Sequence, residues 1–201
     1  MFKDFIDVPG WGDARQLFAK TIPSLPPDAR LLEIGCGIGR STWGILDQMS
    51  PGMTLSILDS FEYNNDRNYI WNELLRCGSI TDSVDSTNLL KDLITSNSQY
   101  DIFLTIIKNH INFKFIENIY VMPSSDYIQK SMESQYDFIF IDGDHSYSSV
   151  INELEYFKKS KIISGDDYSN QECPGVSEAV NEFVFNHNRN LRLVNGDFLI
   201  V

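Results

Sequence analysis

No stretch constrains this chain more than Leu31-Leu32-Glu33-Ile34-Gly35-Cys36-Gly37-Ile38-Gly39-Arg40-Ser41-Thr42. Its apolar start, Leu31 to Ile34, reads as a buried strand. Glycines at alternate positions follow, and Ser41-Thr42-Trp43-Gly44-Ile45-Leu46 reads as the opening of a helix. A parallel α/β sheet uses this unit of strand, glycine turn and helix to build a nucleotide site at the carboxyl end of its first strand. Glycine has no Cβ, so the backbone can turn sharply and approach a ligand closely. Glu33 sits inside the apolar run, and a carboxylate buried there needs a partner.

The spacing of Gly35, Gly37 and Gly39 is G-x-G-x-G, not the G-x-G-x-x-G of dinucleotide sites, and G-x-x-x-x-G-K-[ST] is absent from the chain. The string E-x-G-x-G-x-G resembles the first motif of class I S-adenosylmethionine-dependent methyltransferases. By that resemblance Gly35, Cys36, Gly37 and Gly39 wrap the methionine part of S-adenosyl-L-methionine, with Glu33 near its ammonium or an adjacent loop. A second strand, Thr54 to Leu58, ends in Asp59. A carboxylate there, about 20 residues past the glycines, is placed to accept both ribose hydroxyls of an adenosine-type ligand.

A chain of 201 residues fits one domain with a sizeable core. The formal charge of −12 argues against gripping nucleic-acid phosphates, which takes clustered Lys and Arg. No apolar run approaches a membrane span, and the acidic start Met1 to Asp7 does not read as a secretory signal. Cys36, Cys77 and Cys173 are odd in number and scattered, which fits neither a disulfide framework nor a zinc cluster. A cytoplasmic, reduced protein is the expectation.

Residues 1 to 30 read as a helical lead-in, with a helix over Trp11 to Ile22 stopped by Pro23, Pro26 and Pro27. Trp11 and Phe2 could lid a site or cover the core, and plain packing on the core is the favoured reading. Ser41 to Met49 reads as the first crossover helix. Residues 60 to about 115 exceed what one crossover needs. Short helices at Asn68 to Leu75 and Leu89 to Ile94, a polar stretch Cys77 to Asn88, and a helical pattern through Phe103, Ile106, Ile107 and His110 suggest an insertion or lid over the site. His110 reads as a surface or interface histidine. Ile119-Tyr120-Val121 is a third strand, with a helix from about Tyr127. In methyltransferases the loop after this strand meets adenine, so by that likeness Ser124 and Ser125 are adenine-side candidates; as helix N-caps they would be equally at home.

Tyr136 to Ile141 is the most strand-like run, ending in Asp142-Gly143-Asp144-His145-Ser146-Tyr147; the helix Val150 to Lys159 follows. Lys161 to Ser164 is the next strand, ending in Gly165-Asp166-Asp167-Tyr168. Parallel neighbours lie about 4.8 Å apart, so Asp142, Asp166 and Asp167 can converge. Carboxylates packed together repel unless protonated or bridged by a cation, and all-oxygen ligands favour Mg²⁺, Mn²⁺ or Ca²⁺. F-I-D-G-D-H-x-Y with G-D-D-Y resembles the metal-dependent O-methyltransferases, in particular a macrocin-type sugar O-methyltransferase group, over about Leu31 to Phe183. The resemblance implies a divalent cation such as Mg²⁺ on Asp142, Asp166 and Asp167. Catechol-type relatives carry a catalytic Lys where this chain has His145, which leaves an imidazole as the base. Asp144 or Ser146 could cap the following helix.

Val176 to His187 reads as a helix, and Leu191 to Val194 and Phe198 to Val201 as a hairpin about Asn195-Gly196. The expected fold is therefore a single-domain, Rossmann-like α/β sheet of seven strands, mostly parallel, with an antiparallel terminal hairpin and helices on both faces. The function it carries is O-methylation of a hydroxylated small molecule such as a sugar or glycosylated natural product, with no nucleic-acid or membrane partner. Metal-independent methyl transfer and non-catalytic cofactor binding are the alternatives, and a nicotinamide oxidoreductase fits the spacing and the hairpin less well. A homo-oligomer is left open.

Overall fold

A strand with apolar residues pointing both ways must be covered on both faces. The computed structural model, which describes residues 2–62, 67–76, 78, 80, 87–130 and 132–201, covers β1 (Arg30–Ile34) in that way. The described residues form one seven-stranded sheet with β2 (Thr54–Asp59), β3 (Ile116–Val121), β4 (Phe138–Ile141), β5 (Ile162–Gly165), β6 (Leu191–Val194) and β7 (Asp197–Ile200). The order is β3-β2-β1-β4-β5-β7-β6; β7 runs antiparallel to both β5 and β6, and the other pairs are parallel.

Side chains alternate across each strand, which sorts them into two cores. On one face Leu31, Ile57, Phe138 and Phe140 meet α1 (Arg15–Thr21), α2 (Arg40–Gln48) and α5 (Gln99–Ile107), with Phe18 edge-on to Phe140 at 4.9 Å. On the other Leu32, Ile34, Ile139 and Ile163 meet α7 (Tyr147–Tyr156) and α8 (Pro174–His187). Glu33 shares its face with Leu31, so the alternation itself sends the carboxylate under α2.

The chain winds from β1 outward to β3, then returns to the far side of β1 as β4. That reversal opens a crevice above the carboxyl ends of β1 and β4, where open α/β sheets bind ligands. Backbone bonds hold the strand tips level: Gly35 N–H donates to Leu58 O (2.9 Å), Asp142 N–H to Ile34 O (2.8 Å) and Asp166 N–H to Ile141 O (3.1 Å). In the terminal hairpin Asn195 (φ +56°) and Gly196 (φ +104°) both take left-handed conformations, as its tight turn requires.

Several elements differ from the sequence reading. The lead-in helix starts at Arg15, not Trp11, because Asp13 Oδ1 accepts from Arg15 N–H (3.2 Å) after a left-handed Gly12. Phe2 joins the core as expected, but Trp11 does not and stays 38% exposed. The third strand begins at Ile116, and α6 (Ser124–Gln129) begins at Ser124 with Pro123 as its cap residue, so Ser124 and Ser125 are first-turn residues, not caps. His110 is buried, not on the surface: its Nε2 meets Asp47 Oδ1 at 3.0 Å and its ring stands edge-on to Trp43. The insertion supplies α3 (Arg67–Arg76), α4 (Thr87–Ser96) and α5; within its polar stretch Cys77, Ser79 and residues 81–86 lie outside the described residues.

Candidate active site

The glycine turn after β1 forms the floor of the crevice. Gly35 takes φ +81°, and a Cβ there would sit 2.2 Å from Asp142 O, so the tips of β1 and β4 can meet only around a glycine. Behind the turn Glu33 is fully buried. Its Oε2 accepts from Thr42 Oγ1 on α2 (2.6 Å); the Ser41 hydroxyl faces the group, yet Oε1 has no partner among the described residues. Burial is the main reason its carboxyl rises to about 7. Glu33 thus supports the loop from behind, while Gly35, Cys36 and Gly37 line the cavity. Gly39 ends the turn as the cap residue of α2, and Cys36 is a buried free thiol.

Asp59, at the tip of β2, ties the two loops of this wall together. Its Oδ2 accepts from Gly37 N–H (3.0 Å) and its Oδ1 from Phe61 N–H (2.6 Å). Burial raises its pKa against the pull of those donors. The thiol and the amide of Cys36 also face this carboxylate. From the insertion, Gln99 Nε2 donates to Gly37 O (3.2 Å), which ties α5 to the glycine turn. Ser124 and Ser125 line the cavity farther along. The whole space is about 1520 Å³, above the roughly 300–1,000 Å³ of single small-molecule pockets, and so has room for two reactants.

Beside the glycine turn stand the carboxylates. Asp142 faces the cavity from the tip of β4, in surroundings dense enough that burial, then Asp166 and Asp167, push its pKa well up. His145 follows on the same loop, ahead of Ser146, which caps α7, while Asp144 Oδ1 accepts from Ser146 N–H (2.9 Å). His145 Nδ1 lies 3.4 Å from Asp167 Oδ2. Asp166 and Asp167 then diverge. Asp166 Oδ1 accepts from Asp167 N–H (2.7 Å) and the side chain reaches Asp197, whereas Asp167, at φ +62°, turns to His145.

The same architecture recurs in known proteins. Residues 32–165 match a family described as a methyltransferase domain. This chain belongs to that methyltransferase family. No curated protein matches it. Among solved structures it is similar to an O-methyltransferase from Bacillus cereus in complex with SAH (16% identity, 93% of this chain and 80% of that one, TM-score 0.56). It is also similar to CalS11, a TDP-rhamnose 3'-O-methyltransferase of calicheamicin biosynthesis (13%, 93% and 76%, TM-score 0.55). A third likeness is to cofactor-bound Rv0187 from MTB (12%, 96% and 81%, TM-score 0.58). The methyltransferase has no helix among its described residues long and apolar enough to cross a membrane.

Three residues of this methyltransferase's site escaped the sequence reading. Asp197 opens β7 beside the tip of β5; burial, then a hydrogen bond and charge from Asp166, raise its carboxyl. Cys173, the residue before α8, joins His145 and Asp167 in a group whose ligand atoms all lie within 4.8 Å of one another. Glu153, on α7, is buried beside the hydroxyls of Ser124 and Ser149, which face its oxygens without closing a bond of ordinary geometry. Burial lifts it to about 7. Among the described residues the oxygens of Asp142, Asp166 and Asp167 do not form a group like that of His145, Asp167 and Cys173, because Asp166 turns to Asp197 and Asp167 to His145; the convergence expected of these strand tips is not reached, although Asp166 and Asp167 still raise the Asp142 carboxyl.

Proposed function

We propose that this methyltransferase moves the methyl group of S-adenosyl-L-methionine to a hydroxyl oxygen of a small molecule, such as a sugar or glycosylated natural product, with a divalent cation assisting. The observation that supports the reading is that Asp142 and the His145–Asp167 pair line the same cavity as the glycine turn. Gly35 to Gly39 and Asp59 would hold the cofactor by its methionine and ribose parts, with the adenine toward Ser124 and Ser125. The acceptor oxygen attacks the methyl carbon in line; the new C–O bond forms as the C–S bond breaks, leaving a neutral thioether. His145 takes the hydroxyl proton, and Asp167 holds the imidazole and stabilises the cation it becomes. Asp142, Asp166 and Asp167 would hold a cation such as Mg²⁺, which when bound lowers the pKa of the acceptor hydroxyl. Much of the rate comes from keeping the two reactants side by side.

Metal-independent transfer with the same cofactor is the second reading. It is favoured by Asp167, whose Oδ1 accepts from Asn170 Nδ2 (2.9 Å) while its Oδ2 faces His145. Calorimetric titration of S-adenosylhomocysteine, with Mg²⁺ and then with EDTA, tests the cofactor first: micromolar binding in both conditions is expected. Asp166→Ala should then retain that binding and lose methyl transfer to sugar-hydroxyl acceptors. Full transfer by Asp166→Ala in EDTA would leave the metal-independent reading standing.

A further inference from the structure

The segment Val8-Pro9-Gly10-Trp11-Gly12-Asp13 lines the cavity through Gly10, Trp11 and Gly12, and one side chain holds it on both sides of Trp11. The guanidinium of Arg40, the first residue of α2, donates to Val8 O and through Nε to Gly12 O (3.2 Å), and it lies over the Phe5 ring at 4.3 Å. Gly12 rides on a proposed metal ligand: a Cβ there would come within 2.9 Å of Asp166 Oδ2, and its φ is +67°. The Trp11 ring hangs over the cofactor loop, with Cζ3 3.9 Å from where a Cβ on Gly37 would stand. Trp11 lines the main cavity and shares with Asp142 and Asp166 the wall of a small adjoining one. It is 38% exposed, against 2% for Trp43 and 4% for Trp71. A large, partly exposed aromatic side chain thus stands beside both the glycine loop and the carboxylates.

We propose that Trp11 is a cofactor-contacting residue whose indole covers the sulfonium end of S-adenosylmethionine, where the methyl group passes to the acceptor. This rests on the methyl-transfer reading given above. Indole is the strongest of the aromatic faces for a cation. The sulfonium is positive, whereas the thioether of S-adenosylhomocysteine is neutral, so Trp11 holds the methyl donor more tightly than the spent cofactor.

The test uses the full chain as wild type, Trp11→Phe and Trp11→Ala, with calorimetry for both cofactor forms, tryptophan fluorescence, and thermal unfolding as a check on folding. Trp11 is the solvent-facing member of the three tryptophans. Wild-type emission should therefore change on ligand binding, and that change should vanish in Trp11→Phe. Trp11→Ala should lose about tenfold in affinity for S-adenosylmethionine and clearly less for S-adenosylhomocysteine, with most of the loss restored in Trp11→Phe. An emission change that persists in Trp11→Phe, unchanged affinities in Trp11→Ala, or equal losses for the two ligands would overturn the inference and leave the methyl-transfer reading intact. Failure of the wild type to bind either ligand would remove both.

Discussion

Asp59 joins β2 to two loops at once. Its carboxylate receives the amides of Gly37 and Phe61, so it shapes the cofactor wall before any ligand arrives. Asp59→Ala should reduce S-adenosylhomocysteine affinity at least tenfold and lower stability by about 2 kcal/mol, since two charge-assisted bonds are lost; calorimetry and denaturant titration read the two effects separately. His145 touches none of that wall. His145→Ala should keep cofactor affinity while methyl transfer falls by about 10²–10⁴-fold, the usual worth of a positioned base. Single residues were legible where a motif names them, as with Gly35, Asp59, Asp142 and His145. Asp197 and Cys173 were not, because neither belongs to a local pattern: one reaches the site through antiparallel pairing with β5 and the other from the start of α8.

At the scale of elements, the tips of β1 and β4 are the tightest join. Gly35→Ala would place a Cβ against Asp142 O in a left-handed conformation, so a loss of about 2–4 kcal/mol in thermal unfolding, with cofactor binding lost as well, is expected. An alanine variant of wild-type stability and affinity would mean that this join is looser than described. Buried parallel strands were easy to read because their apolar runs are continuous and end in glycine or aspartate. Helix starts were harder. The start of α6 moved to Ser124 because Pro123 supplies a ready first turn, and α1 shrank because Gly12 and Asp13 turn the chain before it. Trp11 fell outside α1 for that reason, which is how it came to stand at the cavity.

For the whole molecule, the excess of 28 acidic over 16 basic residues puts carboxylates where burial sets their charge. Glu33 and Glu153 rise from an ordinary 4.5 to about 7 through burial, so the folded chain holds protons that the unfolded chain has released. Their contribution to stability is complete below about pH 4.5 and is lost as pH rises through about 7, worth roughly 3 kcal/mol for each. The melting temperature should therefore fall between about pH 4.5 and about pH 7, and Glu33→Gln with Glu153→Gln should flatten that slope. A wild-type slope of the opposite sign would show that these groups ionise freely in the fold.

The sequence by itself determined the order of strands and helices, the glycine turn, and which strand tips carry carboxylates, because each is written in local periodicity and in residues with special backbone freedom. Tertiary structure alone decided which way those carboxylates face. Asp166 and Asp167 are neighbours in the chain, yet a single left-handed φ at Asp167 sends one toward His145 and leaves the other with Asp197. It also decided that Glu33 lies beneath the loop and that Trp11 hangs above it. Those outcomes depend on strand pairing, helix packing and one arginine's hydrogen bonds across 28 and 32 residues of sequence, contacts that no local pattern encodes.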